Sequence, residues 1–366
     1  MTKAKIGVGI IGVQQGRSWA AVAHVPALKV LPDYEITAIS TTRRESAQAA
    51  AKEYGIARAY DNHRELVNDP AVQLVAVTVK VPHHLELVTA ALEAGKMVYC
   101  EWPLGNGLRE AEAMAALAAR KKIHTAVGLQ ARAAPAINFV RDLVKDGYVG
   151  EVLSTTLLGT GMNWGPYVDA PNAYTFDRKN GATVLTIPMG HTIDALCYAL
   201  GEVQEVVATS AQRRKSAIQV ETGATLPMTA EDQWVVGGRL AGGAVLTVHY
   251  QGGMNRGTGL LWEINGTEGD LQISAVGGHA QLLELSVRGG KGTDQALQPL
   301  EIPAKYRWTP PVPPMAVNVA QAYARMAADL RDGTHLCPGF DVAVTRHKML
   351  AAIESAAATG QRVTIT

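Results

Sequence analysis

The alternation of short β-branched runs with helical stretches, from Lys5 to about Gly128, limits what this chain can fold into more than any other feature. Ile6–Val13 reads as a strand, Ser18–Val30 as a helix opening on Ser18, Glu35–Ser40 as a second strand, and Arg44–Tyr54 as a helix stopped by Gly55. Val72–Val79 is a nearly continuous apolar strand. Helix Leu85–Ala94, strand Met97–Cys100, helix Leu108–Lys121 and strand Thr125–Leu129 follow it. Apolar strands without alternation suit a parallel sheet covered on both faces, and short-linked strand–helix repeats build a doubly wound sheet. The expected N-terminal fold is an α/β Rossmann domain over residues 1–128.

Beyond about residue 150 the texture changes. Val152–Gly159, Val203–Thr209, Gln233–Leu240, Ala244–Tyr250, Leu261–Asn265, Leu271–Ser274 and Leu282–Arg288 read as strands, separated by turns such as Gly242-Gly243 and Gly252-Gly253. One amphipathic helix, His191–Leu200, lies between the first two. Two more, Val317–Arg331 and Val342–Thr359, follow the Pro-rich stretch Pro310–Pro314. Successive strands with few helices imply an α+β domain with an open, mostly antiparallel sheet. Residues 129–366 are assigned to it, with the C-terminal helices able to pack back on the first domain.

Composition narrows the function. The 366 residues exceed one ordinary core, and 47% apolar with 18% charged residues is a globular balance. A formal charge of +1 gives no bulk attraction to nucleic acid or an anionic membrane, so neither is an expected partner. No window approaches the roughly 20 apolar residues of a membrane helix. Cys100, Cys197 and Cys337 are odd in number and far apart, which suggests neither a disulfide framework nor a zinc site. The His83-His84 doublet lacks ligand spacing, so no metal is expected. The N-terminal apolar run reads as a strand and not a signal peptide, and a reduced, cytoplasmic setting is expected.

A literal G-x-G-x-x-G occupies Gly7, Gly9 and Gly12. Gly7 and Gly9, however, lie inside the first strand, where glycine permits close helix packing, whereas a phosphate turn must follow the strand. The turn is therefore Gly12-Val13-Gln14-Gln15-Gly16-Arg17-Ser18-Trp19, with Gln14 at the second glycine position and the third on or near Gly16-Arg17. At the end of the second strand, where an NAD site usually carries a carboxylate, stands Ser40-Thr41-Thr42-Arg43-Arg44. Hydroxyl and guanidinium groups suit a 2′-phosphate, so NADP(H) is expected over NAD(H), unless Arg43 and Arg44 merely face solvent at a helix start.

Glu101-Trp102-Pro103-Leu104 after a strand and Gly190-His191-Thr192-Ile193-Asp194 on the later helix carry a family signature. With His24-x-Pro26-Ala27-Leu28, Ala94-Gly95-Lys96, Gly147-x-x-Gly150 and Asn265-Gly266-Thr267-Glu268-Gly269, the chain resembles the Gfo/Idh/MocA oxidoreductases over essentially its whole length. It is most similar to the branch containing the fungal galactose-pathway repressor. The resemblance implies hydride transfer with NAD(P) at a sugar-like or cyclic alcohol or ketone, and homodimers or homotetramers assembled through the open sheet. It places Val79, His84, Glu101, Trp102 and Gln130 about the cofactor, beside Gly12–Trp19 and Ser40–Arg44.

Two positions depart from the family pattern: Trp102 stands at the family's lysine and Ile187 at its aspartate. Members of the repressor branch bind NADP without acting as enzymes, so a non-catalytic regulator with a protein partner is the alternative. His191 is the acid/base candidate for alcohol oxidation, or else a buried structural histidine. Lys80, just past the strand ending at Val79, either replaces the missing lysine, holds an anionic substrate, or faces solvent. Asp194, one helical turn beyond His191, either binds substrate hydroxyls or orients the histidine. Trp164, Tyr167 and Tyr174 lie in a Gly/Pro-rich loop whose aromatic and amide groups suit a small polyol.

Overall fold

A computed structural model describes residues 5–16 and 18–366. The chain divides into two compact units, one of Met1–Ala133 with Trp308–Thr345, the other of Ala134–Arg307 with Arg346–Thr366. Among the described residues the first unit holds β1 (Ile6–Ile11), α1 (Val25–Val30), β2 (Tyr34–Ser40), α2 (Arg44–Tyr54) and β3 (Arg58–Tyr60). It continues with α3 (His63–Asn68), β4 (Leu74–Val77), α4 (His84–Glu93), β5 (Met97–Glu101), α5 (Leu108–Lys121) and β6 (Thr125–Gly128). The strands pair in parallel in the order β3-β2-β1-β4-β5-β6, two mononucleotide-type halves meeting between β1 and β4.

The second unit opens with α6 (Pro135–Lys145) and β7 (Val152–Thr160), then a short β8 (Tyr167–Val168) and α7 (Gly190–Leu200). Next come β9 (Val203–Ala211), β10 (Ser216–Gln219), β11 (Thr225–Pro227), β12 (Gln233–Leu240), β13 (Val245–Gln251), β14 (Leu260–Gly266) and β15 (Gly269–Ala275). The chain finishes with β16 (Ser286–Lys291), β17 (Gln298–Pro299), α8 (Val317–Asp332), α9 (Phe340–Thr359) and β18 (Val363–Thr364). Nine strands form one sheet in the order β17-β16-β15-β14-β7-β13-β12-β9-β18, antiparallel except where β13 meets β7. β11, β10 and β8 form a small sheet beside it.

Each core follows the residue pattern. In the first unit Val8, Ile10 and Leu74–Val77 are fully buried, and α8 adds Val319, Tyr323 and Met326 to the same cluster. In the second, alternation sorts the large sheet: Leu157, Val236, Val248, Tyr250, Trp262 and Ile264 are buried on one face. On the other face Val207, Val235 and Val245, from three adjacent strands, remain 42%, 44% and 58% exposed. No helix among the described residues is long and apolar enough to cross a membrane.

The glycines inside β1 act as their position suggests. A Cβ at Gly9 would fall 2.7 Å from Leu66 Cδ2 on α3, so glycine there leaves room for that helix's side chains to pack on the strand. The stretch expected as one helix from Ser18 differs. Ser18 Oγ accepts from the Ala21 N–H at 3.3 Å, but the first turn is a wide π-turn, Ala20–His24, which tightens into α1 at Val25. The β3–α3 pair and α6 had no counterpart in the sequence reading.

Candidate dinucleotide site and its neighbours

The first unit contains a cleft of about 730 Å³ at the C-terminal ends of β1, β2 and β4. Its lining includes Gly12, Val13, Gln14, Ser40, Thr41, Thr42, Arg43 and Val79. Gly12 sits there because nothing else fits: its φ is +104°, and a Cβ would lie 2.6 Å from Val79 Cγ1. Its N–H donates to the Ser40 carbonyl at 2.9 Å, joining the turn to the end of β2. Gly16 follows with φ +67°, and its N–H points to the Tyr54 hydroxyl at 3.5 Å. Ser18 Oγ is occupied within the turn, accepting from the Gln14 N–H and donating to the Gln14 carbonyl. Arg17 lies outside the described residues.

At the β2 end, Thr41 Oγ1 and Ser46 Oγ hydrogen-bond each other at 2.7 Å, and both lie within 2.9 Å of the Arg43 carbonyl, to which one of them donates. This fixes Arg43 in extended conformation at the N-cap of α2. Among the described residues no acidic partner takes its guanidinium, which lines the cleft. Arg44, exposed on the first turn of α2, is not among the lining residues. The far wall carries Asp61, Asn62, His63, His83 and Glu86, with His63 Nε2 3.9 Å from Glu86 Oε1. Sequence reasoning missed Asp61, Asn62 and His63, because they follow the three-residue strand β3 that periodicity could not register.

The other strand ends carry the remaining cofactor candidates. His84 does not face a ligand. It is buried, with Nε2 3.0 Å from the Val79 carbonyl and Nδ1 2.9 Å from the Pro103 carbonyl, and so bridges two chain segments; burial pushes its pKa down. Glu101 is buried at the tip of β5 with Oε1 2.9 Å from His24 Nε2. Trp102 is buried and precedes a cis peptide to Pro103. Trp19 packs edge-on against His24. Gln130 is buried after β6 with its Oε1 unpartnered among the described residues. Lys80 is exposed just beyond β4. A glycine cradle, an unpaired guanidinium and an orphaned amide oxygen are what a dinucleotide's phosphates and polar groups would use, so the residues fit that group.

The second unit places the catalytic and substrate candidates. His191 is buried on the first turn of α7, after a π-turn over Leu185–Met189, and its Nδ1 has no partner among the described residues. Burial pushes its pKa down to about 3; Asp194 opposes the shift and His279 adds to it. At neutral pH the ring is therefore uncharged, the form in which an imidazole can accept a proton. Asp194 is turned from any ligand role by Arg346, whose Nε donates to Oδ1 at 3.1 Å in the core. Trp164 is also corrected. Its ring is 1% exposed at a left-handed φ of +62°, and Nε1–H donates to the Thr175 and Ala182 carbonyls. Tyr167 is 64% exposed on β8, and burial pushes the half-buried Tyr174 up to about 12.

Comparison with known proteins agrees with this geometry. Residues 6–129 match the profile of the oxidoreductase family with an NAD-binding Rossmann fold, Gfo/Idh/MocA. Residues 135–275 match that of the Gal80p C-terminal domain. Residues 6–129 are thus similar to the Gfo/Idh/MocA Rossmann domain and residues 135–275 to the Gal80p C-terminal domain. Among known proteins, the chain is 39% identical over 204 residues to the dehydrogenase aclE of Aspergillus oryzae, across 54% of this chain and 56% of that protein. It is 27% identical over 304 residues to the galactose/lactose regulatory protein GAL80 of Saccharomyces cerevisiae, across 77% and 69% of the two chains. A crystal structure of a Gal80p super-repressor mutant from that yeast superposes with a TM-score of 0.89 over 99% of both chains at 22% identity. Levoglucosan dehydrogenase in complex with NADH and L-sorbose gives 0.84 over 99% of both chains at 23% identity. These likenesses show the fold.

Proposed function

We propose that this protein is an NADP(H)-dependent oxidoreductase of the Gfo/Idh/MocA family, acting on a carbohydrate-like or cyclic alcohol or ketone. The observation that carries the cofactor choice is the β2 rim of the cleft, where Ser40, Thr41, Thr42 and an unpaired Arg43 guanidinium stand in place of a carboxylate. A 2′-phosphate meets complementary charge there, whereas an unphosphorylated ribose gains nothing from it. When bound, the dinucleotide supplies the hydride acceptor or donor. The chain's own contribution is a desolvated, neutral His191 whose imidazole takes the proton of a reacting hydroxyl. The dehydrogenases among the relatives support this reading of the substrate class.

The match of residues 135–275 to the Gal80p C-terminal domain, with Trp102 and Ile187, favours a second reading: a dinucleotide-binding regulator with a protein partner. In either case we propose self-association through the sheet face bearing Val207, Val235 and Val245. Fluorescence titration tests the cofactor assignment. NADPH should bind more tightly than NADH, and Arg43→Ala should weaken NADPH alone, by roughly ten- to a hundredfold, the worth of one charge-assisted contact. Equal affinities in the parent protein would refute it.

A further inference from the structure

Two side chains that the cofactor reading leaves unused, His24 and Tyr323, join Glu101 in a buried hydrogen-bond chain within the first unit. The Tyr323 hydroxyl, on α8, lies 2.9 Å from His24 Nδ1, and His24 Nε2 lies 2.9 Å from Glu101 Oε1. A carboxylate can only accept, so Nε2 carries the hydrogen and Nδ1 accepts from the tyrosine. The chain therefore runs one way, from Tyr323 O–H to Nδ1 and from Nε2–H to Oε1. Aromatic packing fixes the imidazole plane: Trp19, Tyr99 and Tyr323 all meet it edge-on, and Tyr99 stacks on Tyr323 at 4.6 Å.

A proton relay would need an outlet at both ends, and the Tyr323 end has none. Tyr323 is fully buried, and burial pushes its hydroxyl well above the ordinary range. Its backbone carbonyl is already taken by the Tyr34 hydroxyl at 2.9 Å. The arrangement is closed at Tyr323 and opens only at Glu101, so it is built to hold that carboxyl still.

The group it holds is well placed. Glu101 ends β5, in the β4–β6 half of the sheet. The Gly12 turn and the β2 rim take the pyrophosphate and the adenosine ribose, which leaves the β4–β6 half for nicotinamide. On its other side the carboxyl meets the backbone of Gly128, where a Cβ would come within 2.8 Å of Oε1 and 3.0 Å of Oε2. Among the described residues no side chain or backbone group donates to Oε2. We propose that Tyr323, His24 and Gly128 form a clamp that orients Glu101 Oε2 as an acceptor for the nicotinamide half of the dinucleotide. His24 and Tyr323 are then positioning residues. The proposal rests on the dinucleotide reading above.

Two probes and two variants test it. Tyr323→Phe keeps the stacked ring and removes only the donor to Nδ1, while Glu101→Gln removes the charged acceptor itself. Each should weaken NADPH about tenfold, yet leave 2′,5′-ADP, which carries only the adenosine half, within about twofold of the parent. A merely structural role would move both ligands together or neither, and either result in Tyr323→Phe would overturn the proposal. Should Tyr323→Phe fail to fold, Glu101→Gln decides by the same split. A parent protein that bound 2′,5′-ADP but no dinucleotide would overturn the clamp. One that bound neither would overturn the dinucleotide reading itself.

Discussion

Lowering the pH from about 7.5 to about 5.5 should destabilise the second unit by roughly 3 kcal/mol, through two histidines alone. His191 and His279 are both buried, and burial pushes them from 6.5 down to about 3 and about 4. His279 is held there by the Met162 N–H, which donates to its Nε2 at 3.0 Å, and by parallel stacking under Trp164. The sign follows from where each state binds protons. Between the folded and ordinary values only the unfolded chain takes them up, so stability is complete above the ordinary value and falls with pH below it. One pH unit under the ordinary value each ring forfeits about 1.4 kcal/mol, nearly independent of how far below the folded value lies. Urea unfolding of the parent and of His191→Gln with His279→Gln, at the two pH values, isolates this contribution because other titrating groups are common to both. The double variant should lose about 3 kcal/mol less on acidification. An identical pH dependence would refute the reasoning that both rings are buried uncharged.

Arg346→Met should cost about 3–5 kcal/mol, since it removes the guanidinium that meets the buried Asp194 carboxylate and the 2.7 Å pairing to Glu202; thermal unfolding reads it. Replacing only that surface-side partner, in Glu202→Gln, should cost under about 2 kcal/mol. Val235→Lys should shift the protein towards monomer in light scattering at constant fold, because the valine lies 44% exposed in the middle of the outer sheet face.

How much of this was legible beforehand varies with the distance over which each feature is determined. Helix α2 was read to the residue because a local stop, Gly55 at φ +69°, ends it. That Gly7 and Gly9 lie inside β1 and Gly12 in the turn after it also came from local logic. Strand β3 escaped because three residues, one exposed and two half-buried, carry no period. Helix α6 begins on Pro135 with buried Ile137 and Val140, a signal that was present but unread. The site candidates were chosen by residue type, but their orientation depends on partners remote in sequence. Arg346 claims Asp194 across 152 residues, and Tyr323 meets His24 across 299. No periodicity encodes such pairs, so Trp164 and Asp194 looked like ligand groups until their carbonyl and guanidinium partners appeared.

Turnover measured with NADP⁺ across a panel of sugars, inositols and cyclic alcohols, in the parent protein and in His191→Asn, tests the central claim most directly. The account predicts that at least one member reduces the cofactor. It further predicts that His191→Asn slows this by roughly 10²–10⁴, the reach of general base catalysis, with NADPH affinity unchanged. No turnover with any of them, together with nucleotide-dependent capture of a protein partner, would contradict it and leave the regulator reading in its place.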